Sequence, residues 1–564
     1  MMLMHATRPV LSLCLFTFVL GANLRAQTPA PPADVVRLPS YSVNEALIVT
    51  PPEPWRYGRL GEFEVLSNAS DAATARFAEK LFRFQAVFRE LFPVAKAQPP
   101  LPLTVILCGA GDKFATLTPA GLRASASTGI ASTFAGDADQ AVIVIDLQAQ
   151  DLDLPQPGQV GAVIPGVDPT ADSANIPGGA DATATGSGTG VAVNHERLLY
   201  RSYVLATLAR LSPRPPAWFA EGIAQLYSRL DIDADGYRFA NFNDILGGFF
   251  QQRQIMPMPQ LFAAGYDSQE ALQTINGTWP AQSLAFVHLC LFGEKGRYRK
   301  ELFEFVARLQ QEPPSEKLFR EIFHQSYGSM MANLRSYMDA GRYSGAEAVP
   351  VPPITVPALV LRDATDAEVG RIKGDALRLA GRPADEHREL AAPQQRKHTD
   401  ARLLAAMGFL ARDERDFLAA QKYFAEATAA KVDLSGPYTY LAQARLTELI
   451  QPGAAALTDA QVAELLRWLV AARAQPPLRP EVYRTIAEIW LHSATPPKPD
   501  YLLILNEGVR KFPGDADLVA SAARAKLRAG VNADAVSLTA LGLRLAHDDA
   551  TRARFQKLQA ELPH

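Results

Sequence analysis

The last third of this 564-residue chain repeats itself, and that repetition restricts its fold more than any other feature. Helical stretches begin at Ala401, Ser435, Pro480 and Ala516, and a small residue recurs at the same place in each: Gly408, Ala442, Ala487 and Ala523. Ala420, Phe424 and Ala427 stand in the same frame in the first unit, Gly508 and Pro513 in the third, Ala535 and Gly542 in the fourth. Asp416 is placed to open the second helix of the first unit. Leu449 to Thr458 lengthens the second unit, and Asp366 to Ala391 reads as a degenerate unit ahead of the rest. Small residues let helices approach closely, and each such pair buries its apolar face only by stacking on its neighbours.

With this frame, residues 361–564 resemble the tetratricopeptide repeat family. The resemblance implies an all-α superhelix whose concave face suits peptides or partner domains, and it supplies no catalytic chemistry. The competing reading is an Ala-rich helical bundle without repeat order.

The other end of the chain carries an address. Arg8 precedes an apolar run from Val10 to Ala22, and Leu24-Arg25-Ala26 offers a cleavage site before Gln27, so residues 1–26 read as a signal peptide. The run is too short to span a bilayer comfortably, although an uncleaved anchor is the competing reading. The mature chain is expected to be exported, periplasmic or extracellular, with no transmembrane segment. Residues 27–40 read as a linker. A net charge of -3 without a basic stripe argues against a nucleic-acid partner. Beyond the leader only Cys108 and Cys290 remain, both in apolar surroundings. Two cysteines make no disulfide framework, and a single bridge between them stays open.

Between these ends the chain is too long for one core. Residues 41–150 read as a small α/β subdomain. Leu60 to Ser67 alternates like a strand with Phe63 and Val65 on one face, and Asp71 is placed to cap a helix carrying Phe77, Leu81, Phe84, Phe88 and Leu91. Leu103 to Cys108 and Ala141 to Leu147 are continuous β-branched runs, the pattern of strands covered on both faces. Residues 151–192 form an insertion of Gly, Ala, Thr, Asp and Pro with too little apolar surface to offset ordering entropy, expected to be disordered. Residues 193–343 are helical, and 344–360 form a second, Pro/Val linker. The fold class expected is thus α+β in the first half, followed by the all-α repeats.

Two stretches of the helical subdomain carry the chemistry. Leu199-Tyr200-Arg201-Ser202-Tyr203-Val204-Leu205-Ala206 precedes Pro216-Ala217-Trp218-Phe219-Ala220-Glu221-Gly222-Ile223-Ala224 across a Pro-rich turn. A helix, a turn and then Trp-x-x-Glu-Gly-x-Ala resembles the gluzincin metallopeptidases, in particular the bacterial peptidase-MA-like group, over residues 55–340. The resemblance implies two zinc-binding His four apart on the first helix, a Glu between them that activates water, and a third ligand from the Glu-Gly stretch. Glu221 matches the third ligand. Arg201 stands at the first His, Ser202 at the general base, Leu205 at the second His, and Pro280 where the family often has Tyr. A guanidinium stays protonated and Leu has no donor atom, so no metal, cofactor or catalytic residue is expected. His195-Glu196 begins the motif in another register but finds Leu199 where its second His belongs, and His288 and His324 stand alone. Arg201 is expected to pair with Glu221 in place of the metal.

Weaker signals complete the survey. Asp231 to Gly236 copies the first half of a calcium loop, but Phe242 occupies the position needing a bidentate Glu, and Asp235-Gly236 reads as a hairpin turn. Gly109-Ala110-Gly111 reads as a turn. The function expected is noncatalytic protein or peptide binding through the groove and the repeats. The alternatives are a zinc-dependent gluzincin-type hydrolase with a remodelled site around Glu221, and a spacer with no groove function.

Overall fold

The computed structural model describes residues 54–92, 102–119, 131–137, 140–149, 151–153, 190–211, 214–233, 236–239, 255–265, 278–310, 312–340, 349–350, 352–546 and 548–562. The stretches expected as a signal peptide and first linker, and almost all of the expected insertion, lie outside them.

The first elements are a hairpin, β1 (Arg56–Leu60) and β2 (Phe63–Ser67), and a long helix α1 (Asp71–Leu91). The stretch expected as one strand from Leu60 to Ser67 is therefore broken. Gly61, at φ 59°, turns the chain where a side chain would be strained. The cap of α1 is Ser70 rather than Asp71, its hydroxyl accepting from the Ala73 amide at 3.3 Å. Asp71 instead begins the helix and pairs with Arg56. Phe77, Leu81, Phe84 and Phe88 are buried along one face, each worth about 1.5–3 kcal/mol of burial.

Strands β3 (Leu103–Cys108), β4 (Ser132–Gly136) and β5 (Ala141–Asp146) follow, with a short helix α2 (Lys113–Leu117) after β3. Parallel pairs β2–β3 and β3–β5 form the centre of a mixed sheet, and β4 closes one side antiparallel to β5. The Gly109–Gly111 turn after β3 is pinned by Asn68, whose amide oxygen accepts from the Gly109 N–H at 2.7 Å. Asp151–Asp153 (β6) and Gly190–Ala192 (β7) pair across the base of the insertion.

The helical subdomain contains α3 (His195–Leu208), α4 (Ala217–Tyr227), the hairpin β8 (Leu230–Ile232) and β9 (Gly236–Phe239), then α5 (Met258–Ala263), α6 (Thr278–Phe292), α7 (Arg299–Arg308), α8 (Glu316–Phe323) and α9 (Tyr327–Asp339). Helices α1 and α3 cover one face of the sheet, and their side chains join Phe63, Val65, Val105 and Ile143 in one core that continues through α4, α6 and α9. Asp231 to Gly236 is the expected hairpin: the Asp233 carboxylate accepts from the Gly236 amide, and Asp233 N–H donates to the Gly236 carbonyl, both at 3.0 Å.

The described part of the segment expected as a Pro/Val linker makes contacts with the rest of the fold. Val349–Pro350 (β10) joins β9, Ile354, Val356 and Leu359 lie against the first core, and Arg362–Asp363 (β11) pairs with β1 as the sixth strand of the main sheet.

Eleven α-helices follow among the described residues: α10 (Asp366–Leu379), α11 (Pro383–Gln395), α12 (Ala401–Asp413), α13 (Phe417–Ala429), α14 (Ser435–Leu449), α15 (Asp459–Arg473), α16 (Pro480–His492), α17 (Leu503–Lys511), α18 (Ala516–Arg528), α19 (Asn532–Leu545) and α20 (Asp549–Glu561). The helices at Asp366, Ala401, Ser435, Pro480 and Ala516 start where the repeat frame placed them. Asp416 caps α13, accepting from the Ala419 amide at 3.0 Å. The small positions are contact points: a Cβ on Gly408 would stand 2.6 Å from the Phe424 ring, and Ala420, Ala427, Ala442, Ala487, Ala523 and Ala535 are fully buried. Helix α20 presses Phe555 onto Gly542 and covers the last hairpin.

The repeats are not tethered at a distance. Val369, Ile372, Ala376 and Leu377 of α10 form a second core with Trp55, Tyr57, Leu66, Ile106, Val142 and Val144 on the other face of the sheet. At its centre Glu64 of β2 accepts from Tyr57 at 2.7 Å, Arg371 at 2.8 Å and Arg402 at 3.1 Å. Arg402 also holds Asp433, and Arg378 holds Asp137 at the end of β4. Both cysteines are buried and unbonded, Cys108 in the second core and Cys290 in the first.

Candidate functional site

Helix α3 is capped by Asn194, which accepts from the Arg197 amide at 3.0 Å, and runs beneath the sheet. Helix α4 starts at Ala217 behind Pro216, whose fixed φ suits a helix start. It is anchored by Trp218, fully buried against Phe262, Phe286 and Phe305. Gly222 then lets α4 lie directly on α6, because a Cβ there would stand 2.6 Å from the Ser283 carbonyl and from Val287. The Glu-Gly pair of the motif thus has a packing role independent of any metal.

These constraints bring Arg201 and Glu221 together. The Arg201 Nε donates to one carboxylate oxygen at 3.2 Å and a terminal nitrogen donates to the other at 2.6 Å. Gln225, one turn along α4, donates to the first oxygen at 2.8 Å. The two charged side chains are 15% and 7% exposed. Bidentate geometry with a third donor meets most of the hydrogen-bonding demand of a buried carboxylate. The arrangement therefore neutralises Glu221 with a guanidinium and needs no metal ion to do so.

Ser202 and Leu205 are buried on the same helix. His195 heads α3, six residues before Arg201, which is about 9 Å along the axis and about 120° around it. Its ring meets Phe77 edge-on, and burial lowers its pKa. Glu196 is taken by Lys80 of α1 at 2.5 Å. Pro280 is buried in the first turn of α6. His288, in the first core, shares a hydrogen bond of 2.8 Å with the Tyr337 hydroxyl, and burial pushes its pKa down to about 4. His324 ends α8 with a left-handed backbone. Each histidine sits in its own surroundings, and among the described residues no group of three His, Cys, Asp or Glu is placed to hold a metal.

A second feature went unread in the sequence. A cleft of about 670 Å³ opens between β4, the end of α3 and the start of α16. Arg210, Arg214 and Arg479 line it together with Asp137, Leu379 and Glu481. These residues belong to segments far apart in the chain and fit no spacing motif, so only the fold assembles them.

No protein family model matches the chain, and no curated protein matches it. A solved structure described as the crystal structure of YrrB, a TPR protein with an unusual peptide-binding site, aligns with 33% of this chain and 90% of its own, at 13% identity and a TM-score of 0.27. That likeness is too weak to carry an argument, so the account of the C-terminal part rests on its own helix pairs: a mixed six-stranded sheet with flanking helices leads into an all-helical array.

Proposed function

We propose that this chain is an exported, noncatalytic protein that binds peptide or protein segments, built from a peptidase-like half whose zinc site has been replaced by an ion pair and from tetratricopeptide-like repeats. The observation that carries the reading is the bidentate Arg201–Glu221 pair; on the peptidase-like reading its guanidinium takes the place of the first metal ligand and satisfies the carboxylate at the third. Leu205, at the second ligand position, has no donor atom. The helix pairs with buried small positions support the repeat reading, and arrays of this kind offer extended surfaces to partners.

Because the second core joins repeats and sheet, the experiment uses the whole chain. It is incubated with a reduced, alkylated unfolded protein, and retention and cleavage are followed together with zinc content. Retention without cleavage, unaffected by chelator, is the expected result. Cleavage that disappears with chelator and in Glu221→Ala would overturn the reading in favour of a remodelled zinc hydrolase. Neither retention nor cleavage would leave the spacer role.

A further inference from the structure

A smaller cavity, of about 340 Å³, lies between α1, the start of α3 and the β8–β9 hairpin. Helix α1 buries its aromatic stripe in the first core and presents Lys80 and Arg83 to this cavity, while α3 adds Glu196 and Tyr200. The hairpin brings Asp231, Asp233 and Arg238, with Leu230 and Ile232 as apolar wall. Three cationic and three anionic side chains line it, so its formal charge is balanced. Each charge is also engaged. Lys80 pairs with Glu196 at 2.5 Å, and Arg238 faces Asp231 at 3.6 Å. Glu79 holds Arg83 from outside the cavity at 3.0 Å, and the Gly236 amide donates to Asp233 at 3.0 Å. An ion would gain little here.

What the cavity does offer is hydrogen-bonding capacity without net charge. A lysine ammonium has three donors, and Lys80 directs one of them to Glu196. At 3.6 Å Arg238 and Asp231 attract one another without a hydrogen bond, which leaves carboxylate lone pairs and guanidinium N–H groups for a guest. Tyr200 is the second, independent observation. It is only 7% exposed, its ring stacks on Phe84 at 4.1 Å, and among the described residues its hydroxyl makes no hydrogen bond. Burial pushes its pKa up, and the carboxylates of Glu196 and Asp231 add to the shift, so the phenol keeps its proton and stays a donor. The reach of both carboxylates, which line the cavity, places the hydroxyl on that side. A buried tyrosine hydroxyl ordinarily has a partner, and here a guest would supply it.

We infer that this cavity binds a neutral polyhydroxyl ligand, a single sugar ring, whose hydroxyls meet Tyr200, Lys80, Glu196 and Asp231 and whose C–H face lies on Leu230 and Ile232. A sugar hydroxyl donates and accepts at once, so it fits between an ammonium and a carboxylate that already balance each other. The volume stands at the small end for ligand sites, which limits the guest to about one ring. This site is independent of the peptide-binding reading above.

The test titrates the full chain with glucose, galactose, mannose and N-acetylglucosamine, and with glucosamine and glucuronate as charged counterparts, read by saturation-transfer NMR. At least one neutral sugar is expected to bind with a Kd on the order of 1 mM, the range open to about a dozen non-hydrogen atoms, and more tightly than the charged forms. Tyr200→Phe removes the hydroxyl, keeps the ring on Phe84 and should weaken that binding about tenfold, the size of one hydrogen bond. Asp231→Ala, at an exposed position, should weaken it as well, and thermal unfolding confirms that each variant is folded. A trisaccharide ending in the same sugar separates the sources: binding assigns a glycan end, exclusion a free sugar, and either supports the site. Binding of no sugar overturns the proposal, and so does a preference for a charged form. Binding unchanged in both variants overturns this cavity as its location.

Discussion

Glu64 on β2 and Arg371 on α10 are 307 residues apart in the chain and meet at 2.8 Å in the centre of the molecule. Both side chains are nearly inaccessible, at 7% and 5%. Their contact joins the sheet to the C-terminal helices, and it has consequences that can be measured.

Replacing Glu64 by Gln leaves Arg371 and Arg402 beside a neutral group in a low-dielectric interior. The expected loss is about 3–5 kcal/mol, read from the urea midpoint. Acid should reproduce it. Burial pushes the Glu64 carboxyl up, but Arg371 and Arg402 outweigh burial and hold it at about 2, below the roughly 4.3 of an unfolded Glu. The folded state therefore binds fewer protons. The stability from this group is complete above about pH 5 and disappears as pH falls toward 2, so wild type and Glu64→Gln should converge in acid.

Glu386 behaves in the opposite sense. It is almost fully buried, and burial pushes its carboxyl up to about 8 against the pull of Arg378. Its neutral form suits the fold, so its contribution is present below about pH 4.3 and lost as pH rises toward 8. Glu386→Gln should match wild type near pH 4 and melt several degrees higher at pH 8. A variant less stable than wild type at pH 8 would show that the charged form is needed.

The Arg201–Glu221 pair should show strong coupling. Arg201→Leu strands a buried carboxylate with Gln225 alone, and Glu221→Leu strands the guanidinium, each at about 3–5 kcal/mol. The double substitution should cost much less than the two losses added, with a coupling of at least about 1 kcal/mol by denaturant unfolding. Additive losses would mean the two side chains act independently.

If α3 and α4 retain a peptidase-like arrangement, Arg201→His, Ser202→Glu and Leu205→His together should restore a metal site. Histidines four apart share a helix face with reach to Glu221. The triple variant is expected to hold zinc near one per chain after dialysis, against none for wild type. A variant that folds but retains no zinc would remove the peptidase-like origin from the reading.

Close backbone contact predicts sharp limits on size. Gly222→Leu forces α4 off α6, and Gly408→Leu collides with Phe424. Each should cost about 1–3 kcal/mol or more, measured as a shifted denaturation midpoint.

The candidate ion pair was legible because both partners lie on neighbouring helices with a recognisable spacing, so a local motif carried the information across a short turn. The cleft was not legible. Arg210 and Arg479 are separated by most of the helical subdomain and half the repeats, and no local pattern marks a surface arginine as facing another. Likewise β4, Ser132–Gly136, lacks the long β-branched run that identified β3 and β5, because it is an edge strand and only part of it is covered.

What the sequence by itself determined was local: the helix starts at Ala401, Ser435, Pro480 and Ala516, the strands Leu103–Cys108 and Ala141–Asp146, and the small residues at which helices touch. Those depend on periodicity and side-chain size over a dozen neighbouring residues. Only the tertiary structure decided that α10 closes the second face of the sheet, that Glu64 is the buried partner of Arg371 and Arg402, and that the stretch read as a linker supplies β10 and leads into β11. Alternation along β2 shows which residues share a face, but not what covers that face. The covering element comes from a distant segment whose own apolar stripe is equally silent about its partner, and burial of the two against each other is a property of neither alone.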